Sequence, residues 1–333
     1  MIKISRRNLF IGAGAAVLSH GAASAAPVPI DEARFVRIGG IDQWVTIRGR
    51  NTQNPALLFL HGGPAQPQSL FPEELASWEA DFNIIRWDQR GSGKTFGKYG
   101  PSTPDMTTER LVQDGLEVAD YARRRLGKQK IILVAHSWGT ALGVRLLKRR
   151  QDPFAAFFGV SQITSWKRMI EDRDAWTRKQ ATAAGDTATL KALDEASKLP
   201  MTDSRTLHVS DKWASSPSDE AWMNARQKFL SSPPPSLKKD AGDFVSGIML
   251  TGDKLFPTMI SFDARQLITK FTIPFFVLQG RDDHMVSFDD AKAYVAEIRA
   301  PAKEFIPVEG GHFAVFTNSD QVLSVIRDKA KKL

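Results

Sequence analysis

The stretch that most constrains what this chain can fold into covers residues 131–140 and reads I-I-L-V-A-H-S-W-G-T. Ile131, Ile132, Leu133 and Val134 form an apolar run rich in β-branched residues, which predicts a fully buried strand. The run stops at Ala135-His136-Ser137-Trp138-Gly139. Leu142, Leu146 and Leu147 then recur at the spacing of one apolar helix face. A buried strand, a five-residue turn with a central Ser and a helix make up a nucleophile elbow. Such a turn presents the Ser137 hydroxyl at a helix N-terminus, where backbone N–H groups and the helix dipole favour a developing negative charge. Small residues two before and two after the Ser let strand and helix approach; Gly139 fills that role fully, and Ala135 adds one methyl group. A serine at such a junction can also be a plain N-cap, so the rest of the chain has to decide.

The chain has 333 residues, 42% of them hydrophobic, enough for one large core with a smaller lid. Residues 1–25 read as a targeting segment. Ser5-Arg6-Arg7-Asn8-Leu9-Phe10 is a twin-arginine pattern, residues 11–18 are weakly apolar, and Ala23-Ser24-Ala25 fits a cleavage site. The apolar run is too short and too rich in Gly and Ala to span a bilayer well. The expectation is export through the Tat translocase to the periplasm or the medium, with no stable membrane insertion after cleavage. Without Lys3, Arg6 and Arg7 the formal charge falls from +8 to +5. What remains is scattered, and the runs at 123–125 and 148–150 sit where predicted helices end, where cations complement the dipole. No nucleic-acid partner is expected. The chain has no Cys, which excludes disulfides and thiol chemistry.

Taken in order, residues 35–38 and 43–48 predict two short strands joined at Gly39-Gly40. Residues 56–60 and 83–87 are a third and a fourth strand, running into His61-Gly62-Gly63-Pro64 and into Asp88-Gln89-Arg90-Gly91-Ser92-Gly93. A long amphipathic helix over 107–126 stops at Gly127. The elbow strand is the fifth, and residues 154–160 are the sixth. Between 161 and 267 the pattern turns helical, over 166–184 and 187–198, with no convincing central strand. Strand returns at 272–278 and 304–306, with helices over 289–298 and 319–331. This predicts an α/β fold with a mostly parallel central sheet flanked by helices. A helical cap (161–267) is inserted between core strands 6 and 7, and the core is built from 26–160 and 268–333. Such lids set substrate choice and exclude water.

A Ser hydroxyl needs a base, and the base needs a group that fixes its tautomer. In folds built around such an elbow the order along the chain is Ser, acid, His, each on a loop after a core strand. Of the six His, His20 leaves with the targeting segment. His61 and His136 are locked beside the expected oxyanion loop and the Ser. His208 lies in the cap, and His284 directly follows the acid candidate. His312, on a Gly-rich loop after the last strand, is the expected base. Asp283, third after Gly280, is preferred as acid over Asp282, which suits a turn hydrogen bond, and Glu309 suits a loop-ordering role. The expected oxyanion donors are the N–H groups of Trp138 and Gly63. No metal-ligand spacing occurs, so neither a metal nor a cofactor is expected.

H-G-G-P at 61–64, D-Q-R-G-S-G at 88–93, H-S-W-G at 136–139, G-R-D-D at 280–283 and G-G-H-F at 310–313 together resemble the prolyl iminopeptidase branch of the α/β-hydrolase superfamily. The resemblance implies the α/β-hydrolase fold, a triad of Ser137, Asp283 and His312, and release of an N-terminal Pro from peptides. The chain departs from that pattern at Ala135, Ala65 and Lys94-Thr95. Members of that family bind the substrate's free amino group with lid carboxylates, and the segment at 159–166 here lacks the Arg and Glu expected after the sixth strand. Glu171, Asp172 and Asp174 are possible substitutes, so Glu171 and Trp166 are the cap candidates for substrate binding.

The leading expectation is a serine hydrolase that cleaves a small-molecule or short-peptide amide or ester through an acyl-enzyme. One alternative is a carboxylesterase or lactonase with the same triad and a pocket formed by some of Trp166, Trp176, Phe244 and Phe256. Another is a non-catalytic ligand-binding relative.

Overall fold

A computed structural model describes residues 27–199 and 209–333. The expected targeting segment, His20 and His208 lie outside the described residues. Eight strands form one sheet in the order β1-β2-β4-β3-β5-β6-β7-β8. They are β1 Ile30–Ile38, β2 Ile41–Gly49, β3 Ala56–Leu60, β4 Asn83–Trp87, β5 Ile131–His136, β6 Phe154–Val160, β7 Phe275–Gly280 and β8 Lys303–Val308. β1 and β2 pair antiparallel at one edge, and β2 pairs antiparallel with β4. From β4 through β3, β5, β6 and β7 to β8 every pairing is parallel.

The central strands read as continuous apolar runs because both faces are covered. Every residue of β3, β4, β5 and β7 is buried. Alternate side chains of β5 divide between two cores: Ile131, Leu133 and Ala135 face one, Ile132 and Val134 the other. The first core is covered by α2 (Thr108–Leu126) and α3 (Trp138–Arg149). The second is covered by the 3₁₀ segment Pro72–Ala80 and the C-terminal helix Ser319–Ala330. α2 is capped by Thr107, whose hydroxyl accepts the N–H of Arg110, and ends at Gly127 in the left-handed region (φ 63°). A short helix α1 (Gly93–Tyr99) and the segment Pro72–Ala80 have too little periodicity to be read from the sequence.

Between β6 and β7 lie α4 (Trp166–Ala184), α5 (Thr187–Ala196), α6 (Pro217–Ser231) and α7 (Lys238–Met259). Ser165 caps α4, and Gly185 ends it in the left-handed region. α8 (Phe288–Glu297) and α9 (Ser319–Ala330) complete the chain. β7 begins three residues later than its apolar run suggests, because Pro274 cannot donate to a ladder. β1 begins five residues earlier than its pattern suggests, since most of its side chains are exposed on an edge strand. The parallel strands all point their carboxyl ends the same way. The loops carrying Gly63, Ser137, Asp283 and His312 therefore leave the sheet on one side, where open α/β sheets bind ligands.

Candidate active site

Ser137 sits between β5 and α3 at φ 53° and ψ −120°, a conformation that non-glycine residues rarely adopt. The cost, about 1–3 kcal/mol, is offset by the contacts around the turn. The Ser137 N–H donates to the Val160 carbonyl at 3.0 Å, and its own carbonyl accepts the Thr140 hydroxyl at 2.6 Å. Gly139 is required by close approach: a Cβ there would lie 2.3 Å from the Leu60 carbonyl oxygen and 2.8 Å from that of His61. Ala135 is tolerated because its methyl has room beneath α3, where even a Cβ added to Gly143 would stand 3.6 Å from it.

Three side chains from three loops meet at this turn. The Ser137 hydroxyl is 2.9 Å from Nε2 of His312, and Nδ1 of His312 is 3.2 Å from Oδ2 and 3.3 Å from Oδ1 of Asp283. Asp283 is buried. Its Oδ1 accepts the N–H groups of Met285 at 3.1 Å and Val286 at 2.9 Å, and its Oδ2 accepts the Gln279 amide at 2.7 Å. Burial alone would raise this carboxyl, but the adjacent His312 ring and the hydrogen bonds it accepts outweigh that and hold it below the ordinary carboxylate range. An ionised carboxylate only accepts, so the His312 proton resides on Nδ1 and Nε2 is free to accept from Ser137. Asp282 is exposed, and its N–H donates to the Gly310 carbonyl. Glu309 pairs with Arg281 at 3.1 Å on the surface.

The other described histidines are held elsewhere. His61 is buried against its own loop, with Nδ1 2.9 Å from the Gly62 carbonyl, and burial pushes its ring down to about 4. His136 is buried too; burial and then the neighbouring His312 ring push it down to about 3. His284 stacks on Trp176 with ring centres 3.6 Å apart.

Gly63 and Ser137 line one cavity of about 210 Å³ with His312. Trp138 is the first residue of α3, so its N–H has no partner within the helix. The loop after β3 passes so close that a Cβ on Gly62 would stand 3.3 Å from Cβ of Ser137. The rest of the wall is mainly apolar, built from Ile163, Trp166, Met169, Met223, Met285 and Phe313, with Arg173 as its one cation among the described residues. Of the two cap candidates, Trp166 therefore reaches the cavity and Glu171 does not. Glu171 is exposed on the far face of α4, 3.7 Å from Lys167. Asp174 accepts the Ser210 hydroxyl at 2.6 Å, and Asp172 faces a separate cavity beside Trp176. Of the expected aromatic lining, Phe244 packs with Leu70 and Phe71, and Phe256 lies behind Trp166.

Sequence reasoning missed three contributors. Gln279 on β7 steadies Asp283, and Ser161, at φ 55° after β6, donates its hydroxyl to the His312 carbonyl at 2.8 Å. Asp219 of α6 is fully buried; its Oδ2 accepts the His312 N–H at 2.8 Å and its Oδ1 the Phe313 N–H at 3.0 Å. A Ser-x-x-Asp pattern at 216–219 signals a helix start and nothing more.

Residues 55–319 match the profile of a family described as alpha/beta hydrolase fold. A probable aminopeptidase of Bacillus subtilis is 25% identical over 283 residues, spanning 82% of this chain and 87% of that protein. A proline iminopeptidase of Saccharolobus solfataricus is 27% identical over 151 residues, or 42% of this chain and 46% of the other. Among solved structures, a proline iminopeptidase-related protein of Thermus thermophilus superposes with a TM-score of 0.59 at 20% identity, over 90% of this chain and 96% of that one.

Proposed function

This chain belongs to the alpha/beta hydrolase family, and we propose that it is a serine hydrolase cleaving a small amide or ester through an acyl-enzyme formed on Ser137. The observation that carries this reading is the unbroken path from the Ser137 hydroxyl through His312 to the buried carboxylate of Asp283. Nε2 of His312 takes the hydroxyl proton as Ser137 Oγ bonds to the substrate carbonyl carbon. Asp283 holds the ring in the tautomer this needs and stabilises the cation that forms. The N–H groups of Trp138 and Gly63 receive the oxyanion, each worth about 3–4 kcal/mol of barrier. The ring then passes its proton to the leaving amine or alcohol. A water, deprotonated by the same ring, releases the acid and restores the hydroxyl.

Relatives named aminopeptidase and proline iminopeptidase support a substrate whose N-terminal residue, proline in the leading case, is released. A second reading, carboxylesterase or lactonase with the same three residues, is favoured by the cavity wall. A peptide N-terminus is an ammonium, yet the described wall is mainly apolar, built from Ile163, Trp166, Met169, Met223, Met285 and Phe313. On either reading, residues 1–25 act as a Tat export signal and the hydrolase works outside the cytoplasm.

A fluorophosphonate probe tests the chemistry, and paired substrates test the choice. Ser137 should label, and Ser137→Ala should lose label and turnover, on the order of 10⁶-fold, without loss of fold. Absence of label on the unaltered chain would leave only a ligand-binding relative. Faster turnover of proline p-nitroanilide than of p-nitrophenyl acetate selects the peptidase, and the reverse selects the esterase.

A further inference from the structure

Asp219 is a buried carboxylate that the reaction above does not use. A desolvated charge is costly unless hydrogen bonds replace its water, so its partners show what it is placed for. It is the third residue of α6, where a carboxylate ordinarily completes a capping box by accepting the N–H of the N-cap residue. Here that bond, from Ser216, is stretched to 3.5 Å. The short bonds go to the backbone of another loop, at 2.8 Å to His312 and 3.0 Å to Phe313. The neighbouring glycine fits the same arrangement, since a Cβ on Gly311 would fall 2.0 Å from Asp219 Oδ2.

The rest of that helix face extends the grip. Trp222 stacks on Phe313 with ring centres 4.4 Å apart. Met223, one turn after Asp219, lines the cavity with Ser137. Arg226, a further turn on, pairs with Glu74 and lies 3.7 Å over the Phe71 ring. α6 is thus fixed to the His312 loop at one end and to the segment after β3 at the other, with a cavity residue between.

We propose that Asp219 is a positioning residue, which sets the place of His312 through its backbone and links the base to the helix that walls the substrate cavity. This rests on the hydrolase reading of Ser137 and His312. A misplacement of about 1 Å costs on the order of 10²-fold in rate, so a bond at the base's own N–H acts on turnover more than on binding.

The test uses the full chain with p-nitrophenyl acetate, together with amide hydrogen exchange at His312 and Phe313. Asp219→Ala should lower kcat by about 10²-fold with KM nearly constant, and both amides should exchange faster while those of β5 and β7 do not. Asp219→Glu separates positioning from capping. Glu is favoured at the third position of a capping box, so a capping role keeps kcat, whereas a positioning role loses it because the longer side chain displaces the loop. Asp219→Asn, which keeps the size and one accepting oxygen, should fall between unaltered chain and alanine, and it carries the test if the alanine variant does not fold. Unchanged kcat in folded Asp219→Glu and Asp219→Asn would overturn the proposal. Failure of Ser137 to label in the unaltered chain would instead overturn the hydrolase reading, and the positioning role with it.

Discussion

The Nε2–H of His136 donates to the backbone carbonyl of His312 at 2.9 Å, so the residue before the elbow serine holds the residue whose ring faces that serine. The ring stays neutral, because burial pushes it down to about 3, and a neutral ring with one donor fits a carbonyl partner. The same carbonyl accepts the Ser161 hydroxyl, and the N–H of His312 meets Asp219. His312 is therefore fixed by its main chain while its ring stays free to bond Ser137 and Asp283.

His136→Ala should cost about 3 kcal/mol, from an emptied core site and a lost buried hydrogen bond. It should also slow turnover, since Ser161 is left as the side-chain donor to that carbonyl. Urea unfolding and ester hydrolysis measure the two effects; a variant matching the unaltered chain in both would contradict this role.

Asp283→Asn should lower kcat by about 10⁴-fold, while Asp282→Asn changes it little. Oδ1 of Asp283 already accepts two backbone N–H groups, so the new amide nitrogen must take the place of Oδ2, facing Gln279 and His312. A donor there drives the His312 proton onto Nε2, and Ser137 loses its acceptor. Steady-state rates of the two variants decide, and the opposite ranking would move the acid by one residue.

Gly139→Ala should destabilise by about 3 kcal/mol, the upper range for overpacking, because the added methyl meets the Leu60 and His61 carbonyls at 2.3 and 2.8 Å. Those atoms belong to the strand end that leads to Gly63, so the rate should fall as well. Thermal unfolding and fluorophosphonate labelling check both, and a fully stable variant would mean that strand and helix pass less closely.

Stability should fall on mild acidification. Folding lowers His61 to about 4 and His136 to about 3, both from 6.5. Their contribution is complete above pH 6.5 and is lost as pH drops, because the unfolded chain binds protons first. Asp88 acts in the opposite sense: burial raises it from 3.8 to about 7, so the folded chain binds the proton first and gains stability from acid. Two rings against one carboxyl should lower the urea midpoint between pH 7 and pH 5. Asp88→Asn, lacking the opposing group, should show a steeper fall. Equal slopes would mean that Asp88 ionises normally.

Much of the fold could be read directly because its signals are local. β3, β4 and β6 keep the limits of their apolar runs, and α2 begins and ends at its capping Thr107 and at Gly127. The short segments Pro72–Ala80 and Gly93–Tyr99 escaped notice because helices this brief hardly repeat an apolar face. The acidic run at 171–174 was misleading for a related reason. A carboxylate on a helix is attracted equally by an aqueous face and by a ligand, and only the packing of α4 turns Glu171 to solvent and Trp166 to the cavity.

By itself the sequence determined the order of the candidate residues along the strands: an elbow serine whose turn demands Gly139, then an aspartate after one later strand and a histidine after the next. These follow from backbone sterics and from burial periodicity, which neighbouring residues settle among themselves. Only the tertiary structure decided that His312 lies within reach of both Ser137 and Asp283, that the cavity wall is rich in methionine, and that Asp219 grips the histidine loop from 93 residues away. The physical reason is range. A hydrogen bond between a helix and a loop so distant in sequence exists only after the two have packed against each other, and no local pattern encodes which buried N–H a carboxylate will meet.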